Sequence, residues 1–520
     1  MVDPYFNQLN NYKRRGKPTL KPRFPSFYVA YLVICASIIS KMEVIMELGT
    51  NHKVNVSVLS SRLRVEENFD VIERHLTVAG EDVCFFYIDG FTKDAEMQRL
   101  MQYLLSQKEL TDAMSLVKIL PYVEVELGTG VEKIVTSVLS GQTVLISSAF
   151  FGEAVLIDAR TYPARSTEEP NNDRVMQGAR DGFVETLVMN TALIRRRIRD
   201  PRLTMRHFDL GGSSHTDVVL CYVDGVADKK LVEEIAEKLS KIKPQGLCLG
   251  YRSLSECLIR KGWLNPFPKI RVTERPDTAS AQLIEGSVLI ICDTSPQVMI
   301  FPTSIFDYLQ QTDDYYFPPL TGTYLRIVRT IILLLSVIVT PVWYLCVEYS
   351  HTLPDYLRFL IPDNPGALPI ILQLLMIEIA IDGLKIASMN TPDMLSNSLS
   401  VVGALLLGDF AVGVGWLCED VILYMAFVAI ANFAQQNVEL GYAFKFVRVA
   451  MLILVWLFRG WGLLVGALLF VFLLITNVTI SGRFKYLYPL IPFNSRALAH
   501  LLFRVKKNDF LDEREIDGHS

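Results

Sequence analysis

The sequence predicts an α/β soluble region, built from two duplicated α/β subdomains, followed by an all-α polytopic transmembrane bundle. Three observations lead to this fold class. Two segments before Thr323 repeat the same order of apolar strands and amphipathic helices. Long apolar stretches with almost no charge follow Thr323. The connectors between those stretches are short, as in tight helical hairpins that cross a bilayer.

The composition narrows the class of protein. The 520 residues carry a net charge of −4, so no strong basic field favours nucleic acid as a partner. The eight cysteines form no CxxC pair, and only seven histidines are scattered along the chain. We therefore expect buried, reduced thiols in a cytosolic region, and we predict no structural zinc site.

The duplication is visible at two strand ends. The run Glu81–Gly90 ends in Asp-Gly, as does the run Thr216–Gly225, and an amphipathic helical stretch follows each. Further matching strands follow at an offset of roughly 135–147 residues. The predicted boundaries are 1–45 for an extension of unknown role, 46–160 for the first cytosolic subdomain, 161–202 for an arginine-rich linker helix, 203–320 for the second cytosolic subdomain, 321–485 for the transmembrane bundle and 486–520 for a cytosolic tail.

The soluble region shows no catalytic constellation. Asp89 and Asp224 end equivalent strands, but Asp-Gly after a strand is ordinary turn chemistry. Neither Gly128–Gly130 nor Gly211–His215 has the glycine spacing or the following Gly-Lys-Ser/Thr of a phosphate-binding loop. We therefore predict a protein that is not an enzyme and needs no cofactor.

The linker carries the most distinctive soluble motif. Asp181 is predicted to cap a helix that Pro201 prevents from continuing, and arginines crowd its last turn. These arginines fit either a solvated helix end or an interface between subdomains or subunits. The interface candidates are Arg180, Asp181, Arg195, Arg196, Arg197 and Arg199.

Six stretches are apolar enough to be membrane spans, although five spans with one re-entrant segment also fit. They cover approximately 330–347, 368–385, 398–416, 419–435, 443–458 and 461–481. Lys and Arg lie mostly at the ends that share a side with the soluble region, among them Lys445 and Arg448. This bias predicts a cytosolic soluble region and a cytosolic C-terminus.

Three acids interrupt these apolar stretches. Glu378 and Asp382 are one helical turn apart, and Asp409 lies in an apolar run. Because a carboxylate at the bilayer centre costs ~2.5 kcal/mol or more, such residues commonly line an aqueous path. We therefore consider them pore or ion-path candidates, with hydrogen-bonded packing as the alternative. Pro392 breaks the chain between two spans.

Several of these residues together resemble a known family. The segments Glu168–Pro170, Arg180–Phe183 and Asn190–Arg199 resemble the signature of the GerA-type A subunits of bacterial spore germination receptors. Tyr486–Asn494 at the C-terminal end is similar as well. Within the family, Arg180–Glu185 and Glu419–Tyr424 are most similar to the stage V sporulation protein AF branch, although Gln177 stands where the family pattern has arginine.

The resemblance implies a multi-pass protein of the spore inner membrane that forms homo-oligomers and takes part in the release of monovalent cations during germination. It implies as partners a transporter-like B subunit and a lipoprotein C subunit, or a small accessory membrane protein. Our main hypothesis is an oligomeric cation channel. A non-conducting scaffold or signalling subunit of a germinant receptor is the alternative. A secondary transporter fits less well, because the membrane half lacks an inverted duplication.

Overall fold

The computed structural model describes residues 47–122, 124–162, 173, 175–242, 246–259, 265–390, 411–435, 437–480 and 485–503. The predicted extension over 1–45, Pro392 and Asp409 lie outside these residues, as does most of the predicted span 398–416.

The first subdomain is an antiparallel five-stranded sheet covered by helices on both faces. Its strand order is β1-β2-β4-β5-β3. The strands are β1 (Val71–Val78), β2 (Glu81–Ile88), β3 (Val125–Gly128), β4 (Thr143–Ser147) and β5 (Ala154–Ile157). The helices are α1 (His52–Leu63), α2 (Asp94–Leu105), α3 (Ala113–Ile119) and α4 (Val131–Leu139).

The helices of this subdomain bury the apolar side chains that recur at helical spacing in the sequence. In α4, Val131, Ile134, Val135 and Val138 recur at helical spacing and are all buried. They pack with α1 on one face of the sheet, whereas α2 and α3 pack on the other. The sheet therefore has an apolar core on each side, as expected for an α/β subdomain.

The second subdomain repeats the first. Its sheet has the order β6-β7-β9-β10-β8, which is the same order displaced by five strands. The strands are β6 (Leu203–Leu210), β7 (Thr216–Val223), β8 (Arg271–Thr273), β9 (Val288–Cys292) and β10 (Val298–Phe301). The register is shared too, since Val71 faces Ile88 in the first sheet and Leu203 faces Val223 in the second. The predicted duplication is confirmed.

The linker helix is shorter than the sequence indicated. Helix α5 (Leu187–Arg197) begins six residues after Asp181, and Thr186 occupies its N-cap position. The prediction that Asp181 caps this helix is wrong, because its carboxylate instead accepts hydrogen bonds of 2.6 and 2.7 Å from Arg197 at the other end of the helix. The remaining helices of this region are α6 (Lys229–Ser240), α7 (Tyr251–Leu258), α8 (Pro276–Ile284) and α9 (Asp313–Tyr316).

The C-terminal half is helical. Its helices are α10 (Pro319–Glu348), α11 (Ile370–Asn390), α12 (Ala411–Gly413), α13 (Glu419–Phe433), α14 (Val438–Phe458), α15 (Gly460–Thr476) and α16 (Ser495–Leu502). Of the described helices, α10 and α14 are long and apolar enough to cross a membrane, and α15 is a shorter apolar helix. Helix α11 is 21 residues long but carries three charged side chains, and α13 has 15 residues.

A buried ion cluster joins the two halves. Asp314 in α9 is fully buried and accepts from Arg329 Nη2 at 3.1 Å and from Arg326 Nε at 3.3 Å. Both arginines belong to the first turns of α10. The region of the two subdomains is thereby fixed to the start of the first long apolar helix, because separating them would leave buried charges uncompensated.

Candidate functional site: a buried ion-pair network between apolar helices

Two apolar helices direct charged side chains at each other. In α11, Glu378 and Asp382 are four residues apart and therefore share a face. In α14, Lys445 and Arg448 are three residues apart and share a face in the same way. The Asn437 side chain caps α14 by accepting from the backbone N–H of Leu440 at 2.8 Å, which sets where that helix begins.

The four side chains form one connected network. Arg448 Nε donates to Glu378 Oε1 at 2.6 Å, and Arg448 Nη1 donates to the backbone oxygen of Ser336 in α10 at 3.1 Å. Lys445 Nζ donates to the backbone oxygen of Glu378 at 2.9 Å and is ion-paired with Asp382. It also lies 3.4 Å from Glu378 Oε2. Glu378 therefore faces two cations, and Arg448 joins three helices.

The network is almost completely removed from solvent. Arg448 is 0% exposed, Glu378 2% and Lys445 8%, whereas a third of the Asp382 side chain remains exposed. Glu378 Oε2 and Arg448 Nη2 make no hydrogen bond within the described part of the chain. The charges of the two acids and the two bases sum to zero, so the network is polar but has no net charge. It reaches the surface at Asp382.

Glu378 and Asp382 take part in ion pairs that their positions in the sequence did not reveal. The shared face of the two acids is as predicted from their spacing, and both contact Lys445. Lys445 and Arg448 were interpreted as loop-side charges that set the orientation, whereas both are buried ion-pair partners. The signal that could have identified them is the matching spacing of two acids and two bases on separate apolar helices.

Three of the six predicted interface residues, Arg195, Arg196 and Arg199, contact the first subdomain from the linker. Arg195 is fully buried and donates to both carboxylate oxygens of Asp70, before β1, at 2.8 and 3.0 Å. It also donates to the backbone oxygen of Leu203, at the start of β6, at 3.2 Å. One guanidinium thus contacts the first strand region of each sheet.

The other arginines of this group differ in their surroundings. Arg196 lies over the ring of Tyr162 in the first subdomain at 4.7 Å, and Arg199 Nη1 donates to Ser140 Oγ at 3.4 Å. Arg197 is paired with Asp181, as described above. Arg180 is exposed. The described contacts of the group are therefore contacts within the chain, and Arg180, Arg196 and Arg199 are exposed.

A second buried arginine anchors the segment before α5. Arg275 is fully buried and donates to the backbone oxygen of Ala179 at 2.8 Å and to Asp277 Oδ2 at 2.7 Å. Burial raises the pKa of Asp277, but hydrogen bonds from Arg275 and Tyr316 outweigh it and leave that pKa below its usual value. The linker segment is thus held against the second sheet by an ionised carboxylate and its arginine.

The comparison with known sequences identifies the family. The sequence model described as "Bacillus/Clostridium GerA spore germination protein" matches residues 59–515, which is most of the chain. The chain belongs to the GerA family of spore germination proteins. The resemblance of the linker and C-terminal motifs to this family is therefore confirmed.

Individual relatives agree with this assignment. The chain is 37% identical to stage V sporulation protein AF of Bacillus subtilis over 88% of its own length and 93% of that protein. It is 27% identical to spore germination protein KA of Bacillus subtilis over 86% of its length and 84% of that protein. Among solved structures, the N-terminal domain of the A subunit of the Bacillus megaterium germinant receptor GerK3 matches 49% of the chain and 96% of that domain, with 24% identity and a TM-score of 0.38.

Proposed function

We propose that the protein is a subunit of an oligomeric channel in the spore inner membrane that releases monovalent cations during germination. The observation that carries the proposal is the network of four ionisable side chains between α10, α11 and α14. Charged groups inside an apolar bundle are expensive and are typically retained for ion or proton pathways. In a member of a spore germination family, the cargo that fits is a cation.

We assign different roles to the two acids of the network. Glu378 is buried and engaged by two cations, so we assign it to positioning α11 against Arg448 and Lys445. Asp382 is the acid of the network that stays partly exposed, so it is the one available to attract cations. Asp409, which lies outside the described residues, is proposed to attract cations as well. Rings of such acids in an oligomer would favour cations over anions.

The soluble region would transmit the opening signal. The cluster of Asp314 with Arg326 and Arg329 fixes it to α10. Arg448 in turn bonds the backbone of α10 at Ser336. A shift of the soluble region would therefore reach the charged network through α10. We propose that this region and the C-terminus face the cytosol.

A non-conducting scaffold is the second candidate. The mutual neutralisation of Glu378, Asp382, Lys445 and Arg448 favours it, because paired charges of this kind also serve to fix helix packing. In that role the chain would support a receptor complex with a transporter-like B subunit and a lipoprotein C subunit, or with a small accessory membrane protein. Conduction would then belong to a partner.

Efflux of K⁺ from liposomes distinguishes the two functions. The purified full-length chain is compared with Asp382→Asn and with Asp355→Asn, whose acid is exposed on a connector beyond α10. A channel predicts efflux that Asp382→Asn reduces and Asp355→Asn leaves unchanged. Equal efflux from all three would refute the role of Asp382. No efflux from inserted oligomers of this chain alone, with efflux that appears only when the partner subunits are added and that Asp382→Asn leaves unchanged, would instead support the scaffold.

A further inference from the structure

We propose that the first subdomain holds a divalent transition-metal ion of the zinc class between β1, β2 and α1. The donors are Glu73 and His75 on β1 and Cys84 on β2, with Asp82 and His52 beside them. One ligand atom from each of Glu73, His75 and Cys84 falls within 4.8 Å of the others. Nothing in the function proposed above requires this site.

The sheet register creates the cluster. His75 and Cys84 are directly opposite each other in the β1–β2 pair, and Glu73 is two residues from His75 on the same face. His75 Nε2 lies 3.0 Å from Glu73 Oε1, and His75 Nδ1 lies 3.4 Å from Asp82 Oδ1. Three different donor chemistries therefore meet on one face at the edge of the sheet.

His52 adds a second imidazole next to the cluster. This side chain in α1 is 8% exposed, and its ring nitrogens make no hydrogen bond to any described residue. Its Nε2 nevertheless lies 3.4 Å from Asp82 Oδ2, whose other oxygen faces His75. A buried imidazole close to an acid, beside a thiol and a second imidazole, is the environment of a metal ligand shell.

The second subdomain shows what the same positions contain when no metal is needed. The register makes Met205 the counterpart of Glu73 and Val219 the counterpart of Cys84. Both are buried apolar residues of the core. The pair of His207 and Asp217 is kept, with Nε2 2.8 Å from Oδ1. The first copy therefore has a carboxylate, Glu73, and a thiol, Cys84, at positions where the second copy has buried apolar side chains.

The donor set selects the metal. A thiolate, an imidazole and a carboxylate suit Zn²⁺ or Co²⁺, whereas Mg²⁺ and Ca²⁺ prefer oxygen donors alone. Ligand atoms around a tetrahedral zinc are roughly 3.4–3.8 Å apart, so the side chains must close in by about 1 Å. His75 and Glu73 are partly exposed and leave a route for the ion, while Cys84 is fully buried. Asp82 or water would supply the fourth ligand.

The test measures zinc bound to the full-length protein, purified in detergent without a polyhistidine tag and stripped with a chelator. Zinc is titrated against a chromophoric competitor, and bound metal is determined by mass spectrometry. The decisive variant is Glu73→Met with Cys84→Val, which installs the residues of the second copy. The controls are Cys221→Val, a buried thiol of the second sheet, and Cys248→Ser with Cys257→Ser, which removes two exposed thiols.

We expect about one tightly bound zinc per chain, lost in the Glu73→Met, Cys84→Val variant and kept in both controls. Cobalt should give a thiolate-to-metal charge-transfer band that Cys84→Val alone abolishes. Zinc retained by the decisive variant, or lost on replacing the exposed thiols, would overturn the proposal, as would an unmodified chain that binds no zinc. If the double variant does not fold, Glu73→Gln provides the same comparison with a side chain of similar shape.

Discussion

Removing one member of the network should destabilise the helical half by an amount that depends on which member is removed. Arg448 and Glu378 are 0% and 2% exposed and meet at 2.6 Å. Loss of one partner of a buried pair costs about 3–5 kcal/mol, because the remaining charge stays buried. Arg448→Met should lower the free energy of unfolding by about 3 kcal/mol, since Glu378 keeps Lys445 as a partner.

Glu378→Met should cost more, at about 5 kcal/mol, because it leaves two cations with Asp382 alone. The double variant Glu378→Met with Arg448→Met removes one acid and one base and leaves Lys445 paired with Asp382. It should therefore be more stable than Glu378→Met, although it carries one further substitution. Replacing a buried ion pair by apolar residues is often close to neutral.

The assay is thermal unfolding in detergent, followed by circular dichroism. For a region of this size, 1 kcal/mol corresponds to roughly 2–4 °C, so Glu378→Met should lower the Tm by roughly 10–20 °C. Asp355→Asn, at the exposed pair of Asp355 with Arg358, should leave the Tm unchanged. Costs that simply add in the double variant would refute the reasoning, because additivity means that the two side chains do not interact.

Three further predictions concern other parts of the chain. Asp70→Asn should destabilise the soluble region by about 3 kcal/mol in denaturant unfolding, because Arg195 is fully buried, whereas Asp200→Asn at an exposed pair should have little effect. Gly462→Ala should lower the Tm, since a Cβ there would lie 2.0 Å from the Leu454 backbone oxygen, whereas Gly441→Ala meets no atom within 4 Å and should be tolerated. Asp277 has a lowered pKa, so its contribution to stability is present above its unfolded pKa of about 3.9 and is lost as the pH falls through its folded pKa. The stability difference between the unmodified chain and Asp277→Asn should therefore be large at neutral pH and shrink in acid; a constant difference across that pH range would contradict the ionised pair.

The duplicated sheets could be predicted because their signals are local. Buried strands that are followed by Asp89-Gly90 and Asp224-Gly225 recur with the same flanking helices. The edge strands β3 and β8 have four and three residues, which is too short for a periodic pattern to stand out. Asp181 was predicted to cap the linker helix, but its carboxylate is paired with Arg197 instead.

The charged network could be predicted only in part, because its two halves are distant in the sequence. The spacing of Glu378 and Asp382 placed both on one face of α11. Their partners Lys445 and Arg448 are separated from them by at least 63 residues, so helix packing alone decides the contact. The donors of the proposed metal site come from the two adjacent strands β1 and β2, where the strand register brings them together. These donors include no CxxC pair, so no metal site was predicted from the sequence.

Release of K⁺ from liposomes that contain only the purified, inserted chain tests the central claim most directly. A channel predicts that trapped K⁺ leaves these liposomes faster than it leaves empty ones, and that Asp382→Asn slows the release while Asp355→Asn does not. Liposomes that keep their K⁺ while holding correctly inserted oligomers would contradict the channel. Release that appears only after the partner subunits are added, and that Asp382→Asn does not slow, would leave the chain as a scaffold.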